Sequence, residues 1–376
     1  MKMKIKRIAL LLLIGFMFFG CKEKKEGESA HISALSPMKD KFAGKFMFGN
    51  IFNPSDVSSE VINTALIRHY NTLTAENHMK PDQISTGKGS YKFAVADSMV
   101  DAAIKSGFKV VGHALLWHNQ IPRWQQNIEP ETALEDMRQY ITDVVSHFKG
   151  RIYSWDVLNE AFPDSGFSAD WKDSMRTNNP WYKTIGSDFV YEGFLAARLA
   201  DPGAILYYND YNTDQQDKAR MIYDMVKEVN GRYKAAYPGE TRLLIEGIGM
   251  QEHHNTGVSA NAVKDTLNLF KQLGVKISVS ELDVLIVTYQ EFAPYGHGPN
   301  KQNSITGDTR TNGLKKQAEL YGQFFKVYLE FSDIIERVTF WGVTDDKSWR
   351  SAALPLLFDP EGNAKEAYYS VIGSLK

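Results

Sequence analysis

Apolar runs of strand length alternate with helix-like apolar spacing along almost the whole chain. Eight segments read as strands: 45–52 (KFMFGNIF), 70–77 (YNTLTAEN), 109–117 (KVVGHALLW), 152–160 (IYSWDVLNE), 204–210 (AILYYND), 242–249 (RLLIEGIG), 275–282 (VKISVSEL) and 337–343 (RVTFWGV). Between them the apolar period shifts toward that of a helix, as in Leu134, Met137, Ile141, Val144 and Phe148, or Met221, Ile222, Met225, Val226 and Val229. Such alternation predicts an α/β fold with parallel strands. Eight units in about 335 residues predict a (β/α)8 TIM barrel with decorated loops over 41–376, rather than two domains. A doubly wound open sheet is the competing architecture, but no G-x-G-x-x-G opens a helix after the first strand.

Six of these runs end on, or lead straight into, polar residues. Glu76, Asn77 and His78 lie at the end of the second, and His113, Trp117 and His118 lie along the end of the third. Asn159 and Glu160 close the fourth, Asn209 and Asp210 the fifth; Gln251, Glu252 and His253 follow the sixth, and Glu281 and Asp283 end the seventh. In a barrel those ends converge on one face, where the βα loops build a cleft. A wet strand end explains any one case, but it explains poorly a succession that carries carboxylate, amide and imidazole.

The start of the chain breaks the alternation. Lys2, Lys4, Lys6 and Arg7 precede a twelve-residue apolar run, Ile8 to Phe19, followed by Gly20 and Cys21. The run is too short to span a bilayer as a helix, and residues 1–20 have the layout of a signal peptide. Cys21 is the only cysteine, so no intrachain disulfide is possible. Its place after a small residue resembles the lipobox of bacterial lipoproteins. That resemblance implies lipidation at Cys21 and stable anchoring by several acyl chains, with display in the periplasm or at the cell surface. Ordinary secretion with an incidental cysteine is the alternative. Residues 21–40, with the polar stretch KEKKEGESAH, read as a tether.

Composition narrows the partners. With 43% hydrophobic and 23% charged residues the chain is an ordinary globular one. A formal charge of −2 with mixed signs provides no basic field for phosphates, so no nucleic-acid partner is expected. Aromatic residues make up 12%, including seven Trp, and flat rings suit the faces of sugars as well as cores. The chain has no H-E-x-x-H, no Cys/His ligand framework and no P-loop, so neither a catalytic metal nor another cofactor is expected. A monomer is expected.

Glu160 and Glu281 are far apart in sequence, but strands four and seven both point into the same cleft. Two Glu on opposing rims are what retaining glycoside hydrolysis needs, one to protonate the leaving oxygen and one to attack the anomeric carbon, about 5 to 5.5 Å apart. Buried salt bridges and helix caps also use Glu, so the pair alone decides little.

The surrounding motifs decide more. TAENHMK (74–80), GHALLWHNQIPRW (112–124), WDVLNEA (155–161), YYNDYN (207–212), GIGMQEHH (247–254), ISVSELDV (277–284), WGVTDDKSWR (341–350) and PLLFD (355–359) resemble, in order, the motifs of glycoside hydrolase family 10. The resemblance runs from about Phe46 to Tyr369. That family is dominated by endo-1,4-β-xylanases with a (β/α)8 barrel that act with retention, so the resemblance implies double-displacement cleavage of internal bonds in xylan.

The resemblance also implies roles. Glu160 would be the acid/base and Glu281 the nucleophile, and the charge of Glu281 would oppose ionisation of Glu160 until the glycosyl ester forms. Asn159 is similar to the family residue that bonds the sugar 2-hydroxyl, although a helix cap would also explain it. His253 is similar to the histidine that orients the nucleophile, with Gln251 in the same motif. Glu76, Asn77, Lys80, His113 and Trp117 match positions that hold sugars on the glycone side. Trp341 and Trp349 match aromatic positions against which a sugar ring lies, core packing being the alternative for each. Glu252 and His254 receive no role. Pro81 stands where many relatives carry Trp. The polar segment 288–313 predicts part of the leaving-group side, a lid, or surface. Two rival functions share these features: a β-1,4-glucanase of the same mechanism, and a surface lipoprotein that binds xylan without cutting it.

Overall fold

Eight parallel strands close into a barrel, each bonded to its neighbours in chain order: β1 (Met47–Phe52), β2 (Thr72–Ala75), β3 (Lys109–Leu116), β4 (Ser154–Asn159), β5 (Ile205–Asp210), β6 (Gly247–Met250), β7 (Lys276–Val284) and β8 (Ile335–Phe340). β8 pairs with β1 and β6 with β7, so the ring is complete. Helices α1 (Thr64–His69), α2 (Ala94–Lys105), α3 (Ala133–His147), α4 (Asp188–Ala200), α5 (Gln216–Ala236), α6 (Ala260–Lys271), α7 (Gly307–Glu330) and α8 (Glu366–Gly373) follow the strands in turn. The fold is the expected (β/α)8 barrel. The computed structural model describes residues 30–58, 61–299, 301 and 305–376. The basic segment, the apolar run, Cys21 and the tether as far as residue 29 lie outside the described residues.

The apolar periods read from the sequence are the buried faces. Met137, Ile141, Val144 and Phe148 are wholly buried at α3 and its C-terminal cap, as are Ile222, Met225 and Val226 on α5. Aromatic rings weld α7 and the segment before β1 to the barrel: Phe42 lies 4.9 Å from Phe48, and Phe325 stacks within 6.1 Å of Phe340. The barrel's inside is filled as well. Arg337 is 1% exposed there, donates to the Ser154 hydroxyl at 3.1 Å and lies over the Tyr207 ring at 4.5 Å.

Two expectations need correction. The sixth strand covers Gly247–Met250, not 242–249. Asn230 of α5 captures both backbone groups of Ile245, donating to its carbonyl (2.9 Å) and accepting from its N–H (2.8 Å), while Arg242 folds back on Glu246 (2.6 Å). Those groups are then unavailable to a strand partner. The tether reading also runs too far: Ile32 and Met38 are buried, and Ala364 N–H donates to the carbonyl of Ala30 (3.0 Å) while Ala30 N–H donates to the Tyr369 hydroxyl (3.1 Å). Residues 30–40 pack onto the barrel through their apolar side chains, Ile32, Leu35 and Met38, among the polar ones. Among the described residues no helix is long and apolar enough to cross a membrane.

Candidate active site

The C-terminal ends of the strands are where the pairing becomes irregular. In β3 three steps, His113 to Leu116, oppose two in β4; in β4 two steps, Asp156 to Leu158, oppose one in β5; in β7 three steps, Val279 to Leu282, oppose two in β8. Each extra residue is a bulge that turns the following side chains, and bulges of this kind re-aim residues at barrel rims. His113, Asn159 and Glu281 all lie at these places. Glycines make room beside them. A Cβ on Gly249 would stand 2.1 Å from Asn209 Oδ1, so only glycine lets that amide lie across the rim.

Glu160 follows β4 in a left-handed conformation (φ 55°), unusual for a residue with a side chain. Both of its backbone groups are held: its N–H donates to the Asn209 carbonyl (2.8 Å) and its carbonyl accepts from Arg176 Nε (3.0 Å). Its carboxylate faces the cleft. Oε2 accepts from Trp117 Nε1 (2.9 Å), and Oε1 accepts from Gln251 Nε2 (3.0 Å) and Asn159 Nδ2 (3.2 Å). The strand can end on a carboxylate because three donors are aimed at it: Trp117, Gln251 and the strand's own Asn159.

Glu281 is 5% exposed. Oε1 accepts from Asn209 Nδ2 (2.8 Å), and Oε2 lies 3.2 Å from His253 Nε2. Burial on its own pushes this carboxyl's pKa up. The His253 bond, the nearby His113 and the Asn209 bond outweigh it and hold the group below the usual carboxylate range. His253 is its counter-ion. The other ring nitrogen, Nδ1, is 3.2 Å from Asp283 Oδ2, an ion-pair distance without linear hydrogen-bond geometry. Burial opposes protonation of His253, but Asp283 and Glu281 prevail and raise its pKa to about 8. Asp283 is tied in turn by Trp349 Nε1 and Arg350 Nη1, each at 3.1 Å.

All twelve residues singled out for the site line one cleft of about 460 Å³. Besides the groups above, Lys80 Nζ donates to Gln120 Oε1 (2.8 Å) and Asn77 Oδ1 (3.1 Å) and lies 5.0 Å over the Trp117 ring. Burial lowers its pKa, partly offset by Glu281, Glu76 and Glu160. Glu76 accepts from Asn53 Nδ2 (2.5 Å), and His113 Nδ1 lies 3.0 Å from Asp156 Oδ2. Trp341 stands edge-on to His113 (5.5 Å) and to His253 (6.2 Å). Trp349 is flanked by His297, stacked at 4.5 Å and 11°, and by the Arg350 guanidinium at 4.5 Å.

Several residues in the cleft wall or bonded directly behind it have no role assigned from the sequence. Asn209 and Asp283 stood at strand ends, and Asp283 is two residues after Glu281, the spacing of one strand face. That spacing was the signal. Tyr211 is the penultimate residue of YYNDYN, and Arg350 ends the motif that holds both tryptophans. His297 had no signal, because it comes from the segment 288–313, which shows no period. Part of that segment is helical: residues 289–292 form one turn, α7 begins at Gly307, and Phe292 and Ile305 are buried. His297 places the segment in the cleft wall.

A paired-carboxylate cleft on the rim of a (β/α)8 barrel can be compared with known proteins. The model of glycosyl hydrolase family 10 matches residues 37–374. An endo-1,4-β-xylanase of Geobacillus stearothermophilus is 34% identical over 354 residues, covering 90% of this chain and 99% of that protein. Endo-1,4-β-xylanase A of Thermotoga neapolitana is 35% identical, and this chain spans 31% of its length. Among solved structures, a bacterial Ig-like domain containing family 10 xylanase from termite gut superposes with a TM-score of 0.90 at 51% identity, over 93% of this chain and 79% of that one. A match over nearly the whole described barrel makes this chain a member of glycosyl hydrolase family 10.

Proposed function

We propose that the protein cleaves internal β-1,4 bonds of xylan with retention of configuration, with Glu281 as nucleophile and Glu160 as acid/base. The observation that carries the reading is the opposite equipment of the two carboxyls in one cleft. Glu281 has a cationic partner and a lowered pKa, which suits an anion that attacks. Glu160 is held by neutral donors from indole and amides, which suits a group that must carry a proton in one half-reaction and lose it in the next.

In the first step Glu281 attacks the anomeric carbon as Glu160 gives its proton to the leaving oxygen. In the second, Glu160 takes a proton from water, which displaces the glycosyl ester. Asn159 lies between the two carboxylates, bonded to Asn209 (2.9 Å) and to Glu160 (3.2 Å), a place from which its amide reaches the 2-hydroxyl of the sugar under attack. Glu76, Asn77, Lys80 and His113 offer charged and polar groups to the glycone hydroxyls. Trp341 walls the sugar there, and Trp349 gives an edge rather than an open face, since His297 stacks on its ring. Lining residues lie on both sides of the pair, from the β2 and β3 loops to Tyr211 after β5, which favours a chain passing through over a chain end.

The test is the stereochemistry and the substrate. Proton NMR of a fresh digest of xylo-oligosaccharide should show the β-anomer first, Glu281→Ala should abolish reducing-sugar release from xylan, and β-1,4-glucan should be cut poorly. Initial α-anomer, or release that survives Glu281→Ala, would reject the assignment; preference for glucan would select the glucanase reading. We further infer export and lipid anchoring at Cys21, with a monomeric domain facing the substrate. Incorporation of labelled palmitate that is lost in Cys21→Ser checks the anchor.

A further inference from the structure

Glu252 and His254 interleave with Gln251 and His253, and the side chains alternate across the segment. Gln251 and His253 line the cleft, whereas Glu252 and His254 are 1% and 3% exposed behind it. Glu252 Oε2 accepts from His254 Nε2 (2.8 Å) and from the Tyr328 hydroxyl (2.9 Å), and Oε1 lies 3.5 Å from the Thr213 hydroxyl. The His254 ring stacks on Phe324 at 4.7 Å. Tyr328 and Phe324 belong to α7, and Thr213, in the loop after β5, accepts at its carbonyl from Thr266 of α6 (2.7 Å). One buried carboxylate therefore connects the end of β6 with α7 and the β5 loop, which α6 holds in turn.

A buried carboxylate is costly unless it is fully paired, and an apolar side chain would pack against the helix layer without that cost. What the charge adds here is direction. Glu252 has a left-handed backbone (φ 57°), so the chain turns sharply between the two cleft residues. Before, within and after that turn the backbone is stitched to β7 and the residue that follows it: Glu281 N–H donates to the Gln251 carbonyl (3.0 Å), Asp283 N–H to that of Glu252 (3.4 Å) and Leu285 N–H to that of His254 (3.0 Å). Relaxing the turn would swing His253 away from Glu281 without touching either residue.

We propose that Glu252, His254 and Tyr328 are positioning residues, which lock the turn between Gln251 and His253 and so fix the approach of His253 Nε2 to Glu281. The inference rests on the roles given above to His253 and Glu281. Glu252→Gln keeps the shape but loses the ion pair, and Tyr328→Phe removes one bond to the carboxylate and nothing else.

Both variants are made in the full chain and assayed on xylo-oligosaccharide well below their melting temperatures, with rates normalised to folded protein. Glu252→Gln should lower kcat by about 10-fold while KM stays within about twofold, as expected for support given mainly to the transition state. Tyr328→Phe should move kcat in the same direction by less. Wild-type kcat per folded molecule in both, with only the melting temperature lowered, overturns the inference, as does a rise in KM alone. If Glu252→Gln does not fold, Tyr328→Phe decides. Glu281→Ala runs alongside: activity surviving there sinks the nucleophile assignment, whereas an inactive Glu281→Ala beside unaffected Glu252→Gln and Tyr328→Phe removes only the positioning role.

Discussion

Asn209 joins Asn159 to Glu281 through a single nitrogen, Nδ2, which lies 2.9 Å from Asn159 Oδ1 and 2.8 Å from Glu281 Oε1. Its own carbonyl oxygen accepts from the Ser280 hydroxyl (2.6 Å), which fixes the amide the right way round. A hydrogen bond to a charged group is worth about 1.5–3 kcal/mol. Asn209→Ala should therefore lower kcat/KM by about 10- to 100-fold and, by leaving buried polar groups unpaired, lower the melting temperature while the fold is kept, checked by steady-state kinetics beside circular dichroism.

Trp117 supplies the donor to Glu160 Oε2 at 2.9 Å. Trp117→Phe keeps most of the ring and loses that N–H. The expected result is a fall of about 10-fold on xylan, whose leaving group needs a proton, and almost none on an aryl xyloside with an acidic phenol. Equal losses on both substrates would show that Trp117 serves binding and not the acid.

The His253 pKa, raised from 6.5 to about 8 by its two carboxylates, makes its protonation a source of stability. A rise of that size corresponds to about 2 kcal/mol. The contribution is fully present below pH 6.5 and is lost as the pH rises through about 8. Urea unfolding should show wild type exceeding His253→Asn most in the acidic part of that range, with the gap closing at the alkaline end.

Gly112 lies opposite Trp155 in the β3–β4 ladder, one residue before His113. A Cβ there would stand 2.2 Å from Trp155 Cε3, inside the barrel wall where neither strand can yield. Gly112→Ala should cost about 1–3 kcal/mol, the usual range for overpacking, read as a lower melting temperature. Since His113 pairs with Asp156 in the same register, kcat/KM should fall as well.

The barrel was legible because its signals are local. Period-two strands and period-3.6 helices can be counted along the chain, and the residues that close each strand must share a rim once the ring is closed. The sixth strand starts later than the sequence predicts because Arg242 to Ile245 has a strand's composition, while the side chain that takes the backbone groups of Ile245, Asn230, belongs to another element. The bulges at 114–115, 157 and 280–281 have no sequence mark, yet they aim His113, Asn159 and Glu281. His297 was invisible for the related reason that a loop's partner, here Trp349, is chosen by tertiary contact alone.

Ala30 and Ala364 bond to each other, and Ala30 also bonds to Tyr369 on the last helix, so the two extremities of the described domain are next-door neighbours. A gene re-cut in an exposed turn between two outer helices, with a few residues spliced across this junction, would spell the same ring of strands in a rotated order. Glu160 and Glu281 could then be made to come early or late in translation without moving either one in space.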